Sequence, residues 1–296
     1  MESLRVKFWG TRGIVPSPRF KTSIFGGNTN CVEILTGGNE IIVVDTGHGA
    51  AILGETLQKR IVEKKENLDI HIFFTHFHWD HVLGLPFFHP IYYENTNIHL
   101  YAPYSHKEML KNLDVLFDGS YSPFSGIESM PSRITFHHLI KPIHVGDLKV
   151  SFTEVNHHIE GIEGLHLPTF AYRFDLHSNS AVVATDHEAD KDHQLNERLV
   201  KFAAFTNILV HDGQFTDEDF IPGWGHSTVT QAMENGKLIK PGIIILSHHH
   251  PHRDDEDILA LEKAYRAKEE YKGLNFAFAK EGDVFDSADF NSTDKK

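Results

Sequence analysis

The stretch Thr75-His76-Phe77-His78-Trp79-Asp80-His81 runs directly out of the apolar segment Ile70-His71-Ile72-Phe73-Phe74. In extended chain, residues two apart face the same side, so the imidazoles of His76 and His78 reach one cation. Asp80 and His81 then point elsewhere, which suits a second cation close by. Imidazole and carboxylate donors suit zinc, with manganese or iron as alternatives. The chain has one cysteine, so an intramolecular disulfide and any multi-cysteine zinc site are excluded. Cys31 opens an apolar strand and reads as a small buried hydrophobe.

Outward from this stretch, apolar runs of strand length predict strands over 4–9, 31–35, 41–44, 70–74, 98–101, 148–155, 170–176, 181–184, 208–210, 243–246 and 275–279. Helical periodicity predicts helices over 50–65, 105–117, 194–204, 228–238 and 254–271. Strands alternating with helices predict an α/β (or α+β) chain, one domain over 1–286 with a polar tail over 287–296. A loop-rich excursion over 119–132 is expected to form a lid or an interface. Five strands end in an acid or a histidine: Val44-Asp45, Thr75-His76, Thr185-Asp186, His211-Asp212 and Ser247-His248. Such endings bring polar side chains to one rim of a sheet structure.

The 296 residues are 40% hydrophobic and 23% charged, which fits a globular protein and argues against disorder. No apolar run approaches the roughly 18 residues of a membrane span, and the amino terminus shows no signal-peptide core, so a cytoplasmic location is expected. With 28 Lys and Arg against 41 Asp and Glu the formal charge is −13, which speaks against long nucleic-acid tracts on a basic surface. A small anionic substrate remains compatible, because bound cations dominate the field inside a cleft. The 23 histidines are anomalous, and those outside the rim are not counted as ligands of further metal sites.

The segment from His76 to His81 matches a His-x-His-x-Asp-His signature, and with Asp45, His157, Asp186 and His248 at the corresponding places along the chain it resembles the metallo-β-lactamase superfamily. The resemblance implies a four-layer αβ/βα sandwich with two divalent metal ions at one edge. It implies His76, His78 and His157 on one metal, Asp80, His81 and His248 on the other, and Asp186 bridging. Asp45 is implied to orient the metal loop through backbone hydrogen bonds rather than to bind metal. His158, His249 and His250, neighbours of implied ligands, are expected to be supporting or solvent-facing imidazoles. Two cations roughly 3.5–4 Å apart acidify a water and stabilise attacking and leaving oxygens, so hydrolysis is the reaction class, with Asp80 among its catalytic residues.

The segments from His211 to Thr216 and from Gly223 to Thr228 resemble the RNase Z-like phosphodiesterase branch. There the resemblance implies that His226 contacts the scissile phosphate and Asp212 orients it, while Ser227 or Thr228 caps the next helix. Two amino-terminal glycine-containing segments, 10–16 and 25–31, are similar to the same branch; Arg12 and Asn28 either meet substrate there or simply hold tight turns. The long arm that grips transfer RNA in RNase Z, between the third-motif histidine and the bridging aspartate, has no room between His157 and Asp186. The cysteine-based zinc site of members acting on ribosyl cyclic phosphates cannot be built. The expected function is therefore a dinuclear phosphodiesterase acting on a small phosphodiester, a cyclic nucleotide first. The alternatives are an RNase Z-type endonuclease, a β-lactam, thioester or lactone hydrolase, and a non-catalytic nucleotide sensor. Phe87, Phe88, Tyr92 and Tyr93 are expected in the core or a homodimer contact, with some stacking on a base.

Overall fold

A computed structural model describes residues 3–120, 122–157, 168–189 and 193–292. The first sheet contains β1 (Arg5–Gly10), β2 (Cys31–Leu35), β3 (Ile41–Val44), β4 (Leu68–Phe73), β5 (Thr96–Ala102), β6 (Arg133–His138) and, from the end of the chain, β14 (Val284–Asp286). The second contains β7 (Ile143–Val145), β8 (Leu148–Val155), β9 (Thr169–Leu176), β10 (Asn179–Ala184), β11 (Ile208–Asp212), β12 (Ile243–Ser247) and β13 (Phe276–Phe278). The orders are β14-β1-β2-β3-β4-β5-β6 and β13-β12-β11-β10-β9-β8-β7.

Period-two alternation explains the layering. Ile41, Val43, Ile70 and Ile72 pack outward against α1 (Gly49–Lys64) and α3 (His106–Asp114). Their strand neighbours Ile42, Val44 and Phe73 face the other sheet, where they meet Ala181, Val183, Ile208, Val210, Ile243 and Ile245. The opposite faces of those last strands, Val182, Leu209 and Ile244, are covered by α4 (His193–Ala203), α5 (Val229–Ile239) and α6 (Asp255–Ala267). Strands buried on both faces read as continuous apolar runs, and the result is the expected four-layer αβ/βα sandwich.

Strands β3 to β6 are mutually parallel, as are β10 to β13, so each group delivers its carboxyl ends to one edge. At that edge Asp45, Asp186 and His248 all adopt left-handed backbone, with φ of 61°, 58° and 62°. Non-glycine residues held there mark sites where the backbone is re-aimed for a purpose.

Three strands escaped the sequence reading: β6, β7 and β14. Each is short or mixes polar residues with apolar ones, as in Arg133-Ile134-Thr135-Phe136-His137-His138. In the polar tail, Ser287 is buried, its amide donates to the Leu4 carbonyl, and the Asn207 side chain donates to the carbonyls of Ser287 and Phe290, which anchors the start of the segment to the fold. The excursion is anchored by Ile127 and Met130, both buried in the outer core of the first sheet. Phe88 is fully buried and Tyr92 and Tyr93 pack on the same core, whereas Phe87 is exposed. Among the described residues no helix is long and apolar enough to cross a membrane.

Candidate metal centre

Beyond Phe73 the chain continues irregularly through 74–78 and then makes one helical turn, α2 (Trp79–Val82). The irregular segment is tied to Asp45, whose carboxylate accepts from Thr75 N and Thr75 Oγ1 at 2.8 Å each, Asn30 Nδ2 at 2.9 Å and His81 Nδ1 at 2.8 Å. Asp45 thus spends its oxygens on the metal loop. Entering α2 brings Asp80 and His81 together with Asp186 and His248, while the His81 ring stays 4.2 Å from that of His76.

His76, His78 and His157 bring one nitrogen each to within 4.8 Å of one another, and so do the ligand atoms of Asp80, His81, Asp186 and His248. His157 Nε2 faces His78 Nδ1 at 3.1 Å. Asp186 lies between the groups, its Oδ2 3.1 Å from His81 Nε2 and its Oδ1 3.3 Å from His248 Nε2 and 3.8 Å from His157 Nε2. His248 Nε2 is also 3.1 Å from Asp80 Oδ2.

Outer partners fix which nitrogen each imidazole presents. His157 Nδ1 donates to the Gly225 carbonyl at 2.8 Å, His248 Nδ1 to Gln214 Oε1 at 3.0 Å, and His81 Nδ1 to Asp45. Each Nε2 lone pair is thereby turned inward. His76 Nε2, His81 Nε2 and Asp186 Oδ2 are buried without a hydrogen-bond partner, although the last two lie close together. Buried polar atoms are almost always satisfied, and a divalent cation on each group satisfies all three. The donor set fits a pair of zinc-class ions.

The electrostatics agree. Burial, followed by neighbouring imidazoles, pushes His76 well below its ordinary value, and burial takes His157 down to about 3 despite Asp186. Both are neutral, the ligating form. Burial opposes ionisation of Asp186, but His248 and His81 outweigh it and hold the carboxyl well below the usual range. Burial likewise opposes protonation of His248, yet Asp186 and Asp80 bring it up to about 9. Protons and cations therefore compete for this nitrogen, and metal binding releases protons.

His226 sits beside both groups, its ring 4.8 Å from that of His157 and 5.0 Å from that of His248. Its Nδ1 is 2.7 Å from Asp212 Oδ2, and Asp212 Oδ1 accepts from Gln214 N at 2.9 Å. Asp212 is fully buried, which opposes its charge, but His226 outweighs burial and keeps it ionised. The cap of α5 is Thr228, through a reciprocal box with Gln231; Ser227 instead donates to the His187 carbonyl at 2.5 Å.

Two supporting residues escaped the sequence reading. Glu188 accepts from Gly223 N at 2.9 Å and Gly225 N at 2.8 Å, clamping the segment that carries His226 and the carbonyl that holds His157. Those partners lie 35 and 37 residues away, so no local pattern announces the clamp. Gln214 stood in a quoted segment, but its contact with His248 is tertiary. Arg12 and Asn28 hold turns. Arg12 is buried and donates to the carbonyls of Gly26 and Arg253 at 2.7 Å, while Asn28 bonds Glu281 and His48. His249 is buried and donates to the Ala279 carbonyl at 2.9 Å, and His250 lies against Phe215; His158 lies outside the described residues.

Residues 40–249 match the family profile described as a beta-lactamase superfamily domain. Among curated proteins, a Ribonuclease Z of Pyrococcus horikoshii is 26% identical over 286 residues, covering 84% of this chain and 87% of that protein. Among solved structures, unliganded yeast PDE1 superposes with a TM-score of 0.69 at 16% identity, covering 96% of this chain and 99% of that one. The short form of human tRNase Z gives 0.61 at 18%, covering 95% and 98%.

Proposed function

The chain is a metal-dependent hydrolase belonging to the metallo-β-lactamase superfamily, and from that premise we propose that it hydrolyses a small phosphodiester of the cyclic-nucleotide class. His76, His78 and His157 would hold one divalent ion, Asp80, His81 and His248 the other, with Asp186 between them, zinc being the first candidate. Two such ions supply Lewis acidity that offsets phosphate charge and acidifies water.

The observation that carries the phosphodiester reading is the His226–Asp212 pair at 2.7 Å, set against the metal cluster. Asp212 takes the Nδ1–H, which leaves His226 Nε2 to serve the substrate. An imidazole so aimed donates to a non-bridging phosphoryl oxygen or protonates the departing alkoxide. Asp212 fixes the orientation of the ring. Support for a small substrate comes from the charge of −13 and from the tight β9–β10 hairpin that leads into Asp186.

The Ribonuclease Z relatives favour a second reading, cleavage of transfer-RNA precursors. One panel decides between them: 2′,3′- and 3′,5′-cyclic nucleotides, bis-p-nitrophenyl phosphate and a precursor tRNA, each assayed with zinc and manganese. The proposal expects turnover of a cyclic nucleotide and a loss of about 10²–10⁴ in kcat for His226→Ala. Turnover of the precursor tRNA alone, or full activity in His226→Ala, refutes it.

A further inference from the structure

The inner face of the first sheet changes character at the amino-terminal ends of β4 and β5. Along β4, Phe73 belongs to the apolar inter-sheet core, but His71 and Asp69, two and four residues earlier, occupy the same face. His99 and Tyr101 extend that face across β5, and His137 across β6, with His71 paired to His99 and Tyr101 to His137 in the strand register. Three imidazoles, a phenol and a carboxylate thus stand side by side. At no more than about 3.3 Å per residue, the five residues from His71 to His76 put this patch at most roughly 16 Å from the catalytic edge.

Asp69, His71 and His99 bring one ligand-type atom each to within 4.8 Å of one another. His99 Nε2 is 3.0 Å from Asp69 Oδ1 and His71 Nε2 is 4.0 Å from Asp69 Oδ2. Around a zinc ion with bonds of about 2.0–2.1 Å, tetrahedral ligands stand roughly 3.4 Å apart, between those two separations. The other nitrogen of each ring is already engaged: His71 Nδ1 lies 3.0 Å from the Tyr101 hydroxyl and His99 Nδ1 lies 3.0 Å from His137 Nε2. Once Nδ1 carries the proton, such outer partners hold a histidine with Nε2 facing a metal. Burial pushes His71 down to about 4, so it is a neutral donor at neutral pH.

From this constellation we infer a third metal site, separate from the catalytic pair, in which Asp69, His71 and His99 bind one zinc-class divalent cation, with Tyr101 and His137 as outer partners. Two imidazoles and one carboxylate leave a position for water, and the half-exposed Asp69 opens the site to solvent. The rings of His71 and His99 are stacked with 16° between their planes. Closing both lone pairs on one ion therefore turns one ring about χ2, a soft torsion for histidine; His99, about a quarter exposed, has the room. In the same step its proton moves from Nε2 to Nδ1, with His137 changing from donor to acceptor, so no net proton leaves this pair.

The test counts metal rather than turnover. Protein stripped by a chelator is equilibrated at buffered free zinc and its bound zinc measured by mass spectrometry, for wild type, His99→Gln, Asp69→Asn and His137→Ala. Whatever the catalytic cluster retains, wild type is expected to hold one equivalent more than His99→Gln and Asp69→Asn. His137→Ala should keep that equivalent but bind it about 10–100-fold more weakly. Anomalous diffraction at the zinc edge should place a peak beside Asp69 and His99. Equal zinc content in wild type and both ligand variants overturns the site in favour of a hydrogen-bonded relay. Should the variants not fold, a zinc-soaked wild-type crystal without that peak overturns it as well.

Discussion

Replacing Asp45 by asparagine removes one charge while keeping a side chain that tolerates the left-handed backbone at this position. The new carbonyl oxygen can still accept from Thr75 N, but an amide NH2 now confronts Asn30 Nδ2, Thr75 Oγ1 and His81 Nδ1. The threonine hydroxyl can rotate to accept. Asn30 can turn its amide, since its buried Oδ1 has no partner of its own. His81 has no such freedom: to accept at Nδ1 it must carry its proton on Nε2, the nitrogen aimed at Asp186 and at the proposed second ion. The cost to folding is thus limited to about 1–3 kcal/mol, a fall in Tm of roughly 2–5 °C for a domain this large. The cost to metal binding is of similar size, about 10–100-fold in affinity for an ion on the Asp80–His81–His248 side. Thermal denaturation with chelator present measures the first quantity, and zinc titration against a chromophoric competitor the second. An Asp45→Asn protein that is destabilised yet binds both ions as tightly as wild type would show that Asp45 only braces the loop and does not set the His81 tautomer.

Other consequences are equally direct. Gly225 has φ of +80°, and a Cβ there would lie 2.9 Å from His157 Cα and closer still to its ring, so Gly225→Ala should displace His157 and lower the zinc bound on its side; unchanged zinc content refutes this. Glu188→Ala removes the acceptor of the Gly223 and Gly225 amides, so kcat should fall while bound metal is unchanged, and unaltered kcat would remove Glu188 from the positioning of His226. His211 is fully buried and burial lowers its pKa, only partly offset by its bond to the Asp212 carbonyl. The unfolded chain then binds the extra proton first, so stability present above about pH 6.5 is lost as pH falls toward the lowered folded value. Urea denaturation at pH 7.5 and pH 5 should show this loss reduced in His211→Gln; the same pH dependence in both proteins counts against it.

The parts of the centre that could be read in advance share one property: neighbouring residues carry them. His76, His78, Asp80 and His81 lie within one turn and one extended step, and the apolar runs that end in Asp45, Asp186, Asp212 and His248 advertise both strand and rim. Elements with weak local signals were lost. β6 alternates apolar with polar residues because its inner face carries His137, and β14 is a three-residue edge strand held by pairing with β1. The same blindness hid Glu188 and Gln214, whose partners come from distant segments. Arg12 could equally have met phosphate or held a turn, and only its burial among carbonyls chose the turn.

Local chemistry thus determined the class of the fold, the ligand types and the rim on which they collect, because strand periodicity and ligand spacing are short-range properties. Tertiary packing decided which nitrogen each histidine offers, where Asp186 stands between the two ligand groups, and that His226 is aimed by Asp212. It also gathered His71, His99 and His137, scattered through the sequence, onto one face with Asp69. Those outcomes depend on contacts between residues 14 to 168 positions apart, and a separation along the chain carries no record of the distance that folding leaves.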